Sequence, residues 1–381
     1  MVNNIQNLKN ILIEKINKKG AISFKDFMAL SLYHQDFGYY SQPDLSIGKD
    51  GDFITAPHAS KLFGYLLAVQ IEECLYLTSK DNGQYYFCEF GAGTGILAKD
   101  ILEYFSQFNK ELLKKLTYFI IEPLEKRREI LNKNLIKYSN CVKILDDFDN
   151  IKEFSGVIFA NELLDAFPVH IIEKDKRNFY EIFITVNNGK FVEEKRKILD
   201  EQLKDYVFEN LWNLPDQYRT EVNLELKSFV KKISANLLKG FVIFIDYGFS
   251  STEYYAPFRN RGTLLGYSKH QITEDFLSYP GLIDITAHVN FSDLKRYLEQ
   301  EGFVINGYCP QWSFLGSLDF EKTVNRLFGK IDPFSPELAQ IKSLIFPQGM
   351  GESHKVFIAS KSIDLKDKLK GFLMSNHLDR L

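Results

Sequence analysis

The tightest constraint on how this chain folds is the spacing of its apolar runs. "YYFCEF", "LTYFIIE", "CVKIL" and "GVIFANELLDAF" follow one another from residue 85, with helical periodicity between them, and "GFVIFIDYG" returns after Lys239. Runs this apolar have no polar face to offer water, so they predict parallel strands covered by helices on both sides of a sheet. The expected fold class is α/β, a doubly wound parallel sheet. Between the fourth and fifth runs, about sixty residues over 176–237 carry a hairpin, "FYEIFITVNNGKFVEEKRKI", turning at Asn187, Asn188 and Gly189, and two helical stretches. This is read as an insertion into the sheet.

A chain of 381 residues exceeds the usual single domain. The expected organisation is N-terminal helices with a long loop over 1–80, a first half of the sheet over 81–175 and the insertion over 176–237. The second half of the sheet follows over 238–361, with a cleft-forming insertion at about 250–290 and helices at about 311–345. Residues 362–381 read as a peripheral tail. The loop from Gln35 to His58 is too long and too aromatic to be filler, and such loops are usually functional.

Charge excludes some functions. Lys and Arg number 47 against 50 Asp and Glu, so the electrostatic footprint of a nucleic-acid or anionic-membrane binder is missing. Cys74, Cys88, Cys141 and Cys309 contain no C-x-x-C pair, and the seven histidines show no helical pairing. Neither a disulfide framework nor a metal site is expected, and a reducing compartment fits best. The N-terminus is an amphipathic pattern carrying both charge signs, and no window approaches about 18 uninterrupted apolar residues. A cytoplasmic protein without a membrane span is the expectation.

The first run opens into "FCEFGAGTG". A glycine turn at the carboxyl end of a parallel strand is where open α/β sheets bind ligands. It could hold a dinucleotide pyrophosphate, hold S-adenosylmethionine, or be a bare turn. Spacing separates these readings, because the glycines fall at 91, 93 and 95 and position 96 is isoleucine, which is not G-x-G-x-x-G. Glu89 would face a pyrophosphate badly but suits an amino-acid ammonium, and Glu122 ends the second strand where two ribose hydroxyls could be accepted. These features favour S-adenosylmethionine, with Glu89, Gly91, Gly93, Gly95 and Glu122 as its contacts. In "KILDDFD", Asp146 or Asp147 reaches the adenine amino group, or the stretch is a solvated acidic turn.

The acceptor side is expected in "ANELLDAFPV", where Asn161, Glu162 and Asp165 follow a buried strand. Helix capping could explain Asn161 but not the two acids with it. "IDYG" puts Asp246 and Tyr247 on the same rim. A methyl acceptor that is itself a cation calls for carboxylates around it, which makes Glu162 and Asp165 the first candidates and Asp246 the next. His270 and His288 either line this pocket, accept a proton there, or are structural; Tyr247 and Phe53 either stack on a guanidinium or an adenine or belong to the core.

Taken with "GDFITAPHASKLFG", "GTLLGYSKHQITEDFLSYPGLIDITAHVNFSDL" and "QGMGESHKVFIAS", these segments resemble the class I methyltransferases of the MidA type over about residues 5–360. That family includes a mitochondrial complex I assembly factor with protein arginine methyltransferase activity. The resemblance implies a seven-stranded Rossmann-like methyltransferase sheet with an accessory, largely helical domain, and S-adenosylmethionine as cofactor. It also implies arginine methylation of a core subunit of respiratory complex I as the reaction. Gly91, Gly93 and Glu122 match its cofactor positions, and Asp52, Phe53, Thr55 and Pro57 would form a loop closing over the cofactor. Its pattern usually has Glu where His58 stands, Asp where Asn290 stands and Arg where Ser353 stands. A cofactor-binding assembly chaperone without transfer, and a small-molecule methyltransferase, are the alternatives; a homodimer stays open.

Overall fold

The computed structural model describes residues 2–42, 56–79, 83–268, 271–329, 335–346 and 350–381. Its centre is a sheet whose seven main strands are β1 (Tyr85–Phe90), β2 (Leu116–Ile121), β3 (Val142–Leu145), β4 (Phe154–Asn161), β5 (Leu237–Phe249), β6 (Val304–Pro310) and β7 (His354–Lys361). Their order across the sheet is β3-β2-β1-β4-β5-β7-β6. The first five run parallel, and β7 is antiparallel to both of its neighbours. The expected doubly wound seven-stranded sheet is therefore present. The strand order reverses between β1 and β4, so the loops after those strands diverge and leave a crevice at their carboxyl ends.

Helices cover both faces. Lys61–Thr78 and Ile96–Phe108 pack on one side, where Leu66, Leu67, Ile101 and Phe105 meet Phe87, Phe159 and Ile243. Glu225–Asn236 and Phe291–Gln300 pack on the other, bringing Val230, Ile233, Leu294 and Leu298 onto Ile158, Val242 and Phe244. Alternate side chains of a strand point to opposite faces, and the strands carry apolar residues at both sets of positions. Full burial of a Leu, Ile or Phe side chain stabilises by about 1.5–3 kcal/mol, and these two layers hold most of the core.

The accessory layer contains helices Val2–Lys19 and Phe24–Tyr33 together with a second, antiparallel sheet. Its hairpin is Asn178–Asn187 and Lys190–Lys197, joined at Asn188 and Gly189 with φ of 49° and 73°. Two positive φ values in succession give a turn whose twist matches that of the strands. Strand His170–Asp175 follows the end of the "NELLDAF" segment and pairs with Asn178–Asn187, and Ile22–Ser23 continues along the same edge of that strand. One apolar layer therefore joins the N-terminus to the insertion through Phe24, Phe27, Ile171, Ile182 and Ile184. A smaller three-stranded sheet places Leu265–Ser268 between Gln271–Thr273 and Asp284–Thr286.

The C-terminal segment is not peripheral. Phe372 is 1% exposed and meets Phe314 edge-on, while the Gly371 amide donates to Gln70 Oε1 at 2.9 Å. The Lys- and Asp-rich composition of the stretch concealed two apolar anchors, Leu369 and Phe372.

Candidate active site

The glycine turn leaves β1 with φ of 68°, 56° and 81° at Gly91, Gly93 and Gly95. Side chains avoid this left-handed region, which explains glycine at all three positions. Gly95 then precedes helix Ile96–Phe108, and its carbonyl accepts from the Lys99 amide. Beneath the turn, Glu89 is 2% exposed and accepts a hydrogen bond from Tyr118 Oη at 2.5 Å. Burial pushes its carboxyl up to about 7, with the Tyr118 hydrogen bond opposing. A cation brought to Glu89 would favour its ionised form.

Glu122 lies just past β2, its Oε1 accepting from the Leu124 amide at 2.9 Å. Burial raises this carboxyl as well, against the pull of Leu124, Arg127 and Arg128. The site thus has one buried acid under the glycine turn and another at the end of the neighbouring strand. This arrangement can hold an ammonium and a diol. Asp146 accepts from Asn150, and Asp147 caps the short helix Phe148–Asn150 and pairs with Lys232 at 2.7 Å, so both are committed at the surface.

After β4 the chain makes a strained turn. Glu162 has a φ of 48°, and its amide donates to Ile245 of β5 at 2.8 Å. A non-glycine residue there costs about 1–3 kcal/mol and persists only where its surroundings enforce it. Asp246 supplies that enforcement: its Oδ2 accepts from the amides of Leu163, Leu164 and Asp165, and its Oδ1 from Tyr247. Asp246 is thus placed to hold the turn, with no carboxylate oxygen left uncommitted. Burial, with Asp165 and Glu162 beside it, pushes its carboxyl upward, against the main-chain donors.

Asp165 is differently placed. Its Oδ2 accepts from Tyr247 Oη, and its Oδ1 is buried with no hydrogen-bond partner among the described residues. Burial raises it to about 6, opposed by the Tyr247 bond and by the main-chain amides of Ala166 and of Asp165 itself. Glu162, raised to about 8 by burial and then by Asp165, receives Asn161 Nδ2 at 3.2 Å and lies 3.8 Å from His354 Nε2. The Ala56 amide also bonds the Glu162 carboxylate. That amide opens helix Ala56–Ala59, which contains buried Pro57. Of the residues expected to close over the cofactor, Pro57 thus lies in a helix beside the turn after β4; Asp52, Phe53 and Thr55, like His270, lie outside the described residues.

Groups invisible to motif reading complete the cluster. Tyr40 Oη donates to buried Asp284 Oδ1 at 2.7 Å, and its carbonyl accepts from Arg127 Nε at 3.2 Å. Tyr33 stacks on Tyr40 with centroids 5.4 Å apart and donates to the Ala166 carbonyl. Burial, then the charges of Asp165, Asp284 and Glu162, raises the Tyr267 phenol, which places it beside the same acids. The only local hint was the "GYY" and "LGY" tyrosines, which spacing alone could not assign. His288 packs edge-on against Tyr247, and burial lowers its imidazole to about 4, so it adds no positive charge.

The three departures from the family pattern have different surroundings. Asn290 caps helix Phe291–Gln300, accepting from Ser292 and Asp293, a task an aspartate performs equally well. Ser353 Oγ lies 3.1 Å from His354 Nδ1. His58 is half-buried, and burial lowers its imidazole. No group of three or more metal-ligating side chains occurs among the described residues, and no helix among them is long and apolar enough to cross a membrane.

The raised acids make stability depend on pH. The folded chain keeps a proton on Glu162 up to about 8, whereas the unfolded chain releases it near its ordinary value of 4.5. The folded state binds more protons across that window, so stability is fully present below it and falls as pH rises, by about 1.4 kcal/mol per unit for each retained proton. Thermal melting of the ligand-free chain should shift downward by about 2–4 °C or more between pH 5 and 8. Glu162→Gln should flatten the dependence. A melting temperature that rises over the same interval would contradict the assignment.

The chain was compared with known proteins. Residues 66–309 match the model of a family described as "Putative S-adenosyl-L-methionine-dependent methyltransferase". It is 28% identical to the mitochondrial protein arginine methyltransferase NDUFAF7 of Danio rerio, over 91% of this chain and 85% of that protein. It is 27% identical to the mitochondrial homologue from Caenorhabditis elegans, over 84% and 78%. Among solved structures it resembles a candidate methyl transferase from Burkholderia thailandensis bound to S-adenosyl-homocysteine, with TM-score 0.89 and 31% identity, covering 100% of this chain and 97% of that one. The mitochondrial relatives overturn the expected cytoplasmic location and point to mitochondria instead.

Proposed function

The chain belongs to the S-adenosyl-L-methionine-dependent methyltransferase family of the MidA type, and from that premise we propose that it methylates an arginine of a protein, a core subunit of respiratory complex I. S-adenosylmethionine is its cofactor. The left-handed glycines and the buried carboxyl of Glu89 fit that group: a Cβ on Gly91 would already stand 3.0 Å from Leu163 Cδ1. Glu89 would hold its ammonium and Glu122 its ribose hydroxyls.

The observation that carries the arginine reading is Asp165 Oδ1, a buried carboxylate oxygen without a partner among the described residues, set among further acids. Relatives named as protein arginine methyltransferases support it. The complex I subunit as target rests on the sequence resemblance. A guanidinium is a planar cation with N–H donors on its edge, and it satisfies such an oxygen with charge and hydrogen bond together. Neutral His288 and the Tyr33–Tyr40 stack add no positive charge to oppose it.

When bound, the cofactor supplies a methyl group on a positively charged sulfur. Asp165 would orient one guanidinium nitrogen for in-line attack, with Tyr247 fixing its rotamer through Oδ2 and Asp246 fixing the backbone that carries it. The guanidinium nitrogen that gains the methyl group would shed a proton, and Asp165 Oδ1 would accept it. Orientation in a water-poor site can supply about 7–11 kcal/mol of the barrier. The test is incubation with methyl-labelled S-adenosylmethionine and the purified complex I core subunit, followed by peptide mass spectrometry. Label on arginine is expected; an unlabelled subunit, with cofactor demonstrably bound, would reject this target.

A further inference from the structure

Beside the acid cluster, but outside it, lies a cavity of about 520 Å³ whose walls include Arg219, Phe249, Arg259, Arg261, Phe276 and His288. Its polar character is opposite to that of the acceptor turn. Arg219 is neutralised by a two-pronged contact with Glu193, at 2.7 and 2.5 Å. Arg261 sits 3.9 Å from Glu274, both of them open to solvent. Arg259 forms no ion pair among the described residues: its Nη1 donates to the Glu253 carbonyl, and its guanidinium lies 3.9 Å from the Phe249 ring centroid. Among the described residues Arg259 is thus the groove cation without an acidic partner, and an aromatic ring holds it flat. A surface arginine would normally be free to swing, and this one is pre-set.

The groove and the acceptor turn are joined through side chains. Phe249 stacks on His288 at 5.1 Å and 7°, His288 packs on Tyr247 at 5.1 Å, and Tyr247 donates to Asp165. His288 is held by its amide bond to Thr263 Oγ1, and Thr263 is fixed by Glu221 of strand Arg219–Val222. The inserted sheet thus builds the groove wall and sets its position relative to the acids.

We propose that this groove is a second subsite of the protein substrate, in which Arg259 takes the carboxylate of an Asp or Glu near the methylated arginine. The inference rests on the arginine reading and deepens it: the acids take the cationic side chain and the groove takes an anionic neighbour. Two sites of opposite sign, a few side chains apart, select a segment of alternating charge and fix its direction. The two sites are linked by the short side-chain series Arg259, Phe249, His288, Tyr247 and Asp165, so one extended segment carries both the acid and the arginine. Apolar contact with Phe276 at the groove wall would add affinity without adding selectivity.

The test uses the full chain saturated with S-adenosylhomocysteine and fluorescent peptides carrying one central arginine flanked by glutamates or by glutamines. Anisotropy should show the glutamate peptide binding about tenfold tighter, with the preference shrinking as salt is raised. Arg259→Gln should cut the preference below about twofold, and Arg259→Lys should keep part of it, with S-adenosylhomocysteine affinity unchanged in both. Equal binding of the two peptides to the wild type, no measurable binding of the glutamate peptide, or a preference that survives Arg259→Gln would each overturn the groove assignment. Replacing the central arginine by glutamine separates the two readings. If the glutamate preference stays while the arginine makes no difference, the acceptor reading fails and the groove stands.

Discussion

Valine at position 91 is expected to weaken S-adenosylhomocysteine binding by more than about 100-fold, read by calorimetry. Gly91 has a φ of 68°, and a side chain forced into that region costs about 1–2 kcal/mol, more when it is β-branched. The new Cβ would also stand 3.0 Å from Leu163 Cδ1, which can turn aside at small cost, so backbone strain decides the outcome. Relief requires the turn to refold, and the turn is the surface that the cofactor's amino-acid end must approach closely. Gly189→Ala is the matched control. Its φ is 73° and nothing lies within 4 Å of its added Cβ, so it suffers comparable strain far from the site. That variant should lose about 1 kcal/mol of stability and keep its affinity. Wild-type affinity in Gly91→Val would remove the turn from the cofactor site.

Asp165→Asn is expected to lower kcat/KM by about 100- to 1000-fold while S-adenosylhomocysteine affinity stays within about threefold. The substitution keeps the shape of the side chain and an oxygen for Tyr247 Oη, and it removes the charge that a guanidinium would meet at Oδ1. Asp246→Asn should behave differently. Its two oxygens accept four main-chain N–H groups, and an amide nitrogen facing one of them leaves a buried donor unsatisfied, at about 1–3 kcal/mol of stability. Loss of transfer in the first variant with wild-type melting, against lowered melting in the second, would separate acceptor contact from turn support. Transfer by Asp165→Asn within about fivefold of wild type would move the acceptor elsewhere.

Much of this was legible beforehand, for identifiable reasons. The strands were visible because β4 and β5 are buried on both faces and have no polar period to blur them. The ligand end of the sheet was visible because glycine spacing and acids at strand ends are local features. The acceptor turn was visible as a set of residues but not as a set of roles. Asp165 and Asp246 look alike in sequence, and only the main-chain donors around Asp246 set it apart from Asp165, whose Oδ1 is buried without a hydrogen-bond partner among the described residues. Tyr40, Asp284 and Tyr267 were not found at all, because the first lies 244 residues from the partner that brings it to the site.

The sequence by itself determined the buried strands, the glycine turn after the first of them and the acids at strand ends, since each is a local pattern of residue types. Only the tertiary structure decided which carboxyl has a buried oxygen without a hydrogen-bond partner, and which groove arginine has no acidic partner, among the described residues. Those outcomes depend on burial and on distances between segments far apart in the chain. Arg219, Arg259 and Arg261 are equal as letters; Glu193 and Phe249 make them different.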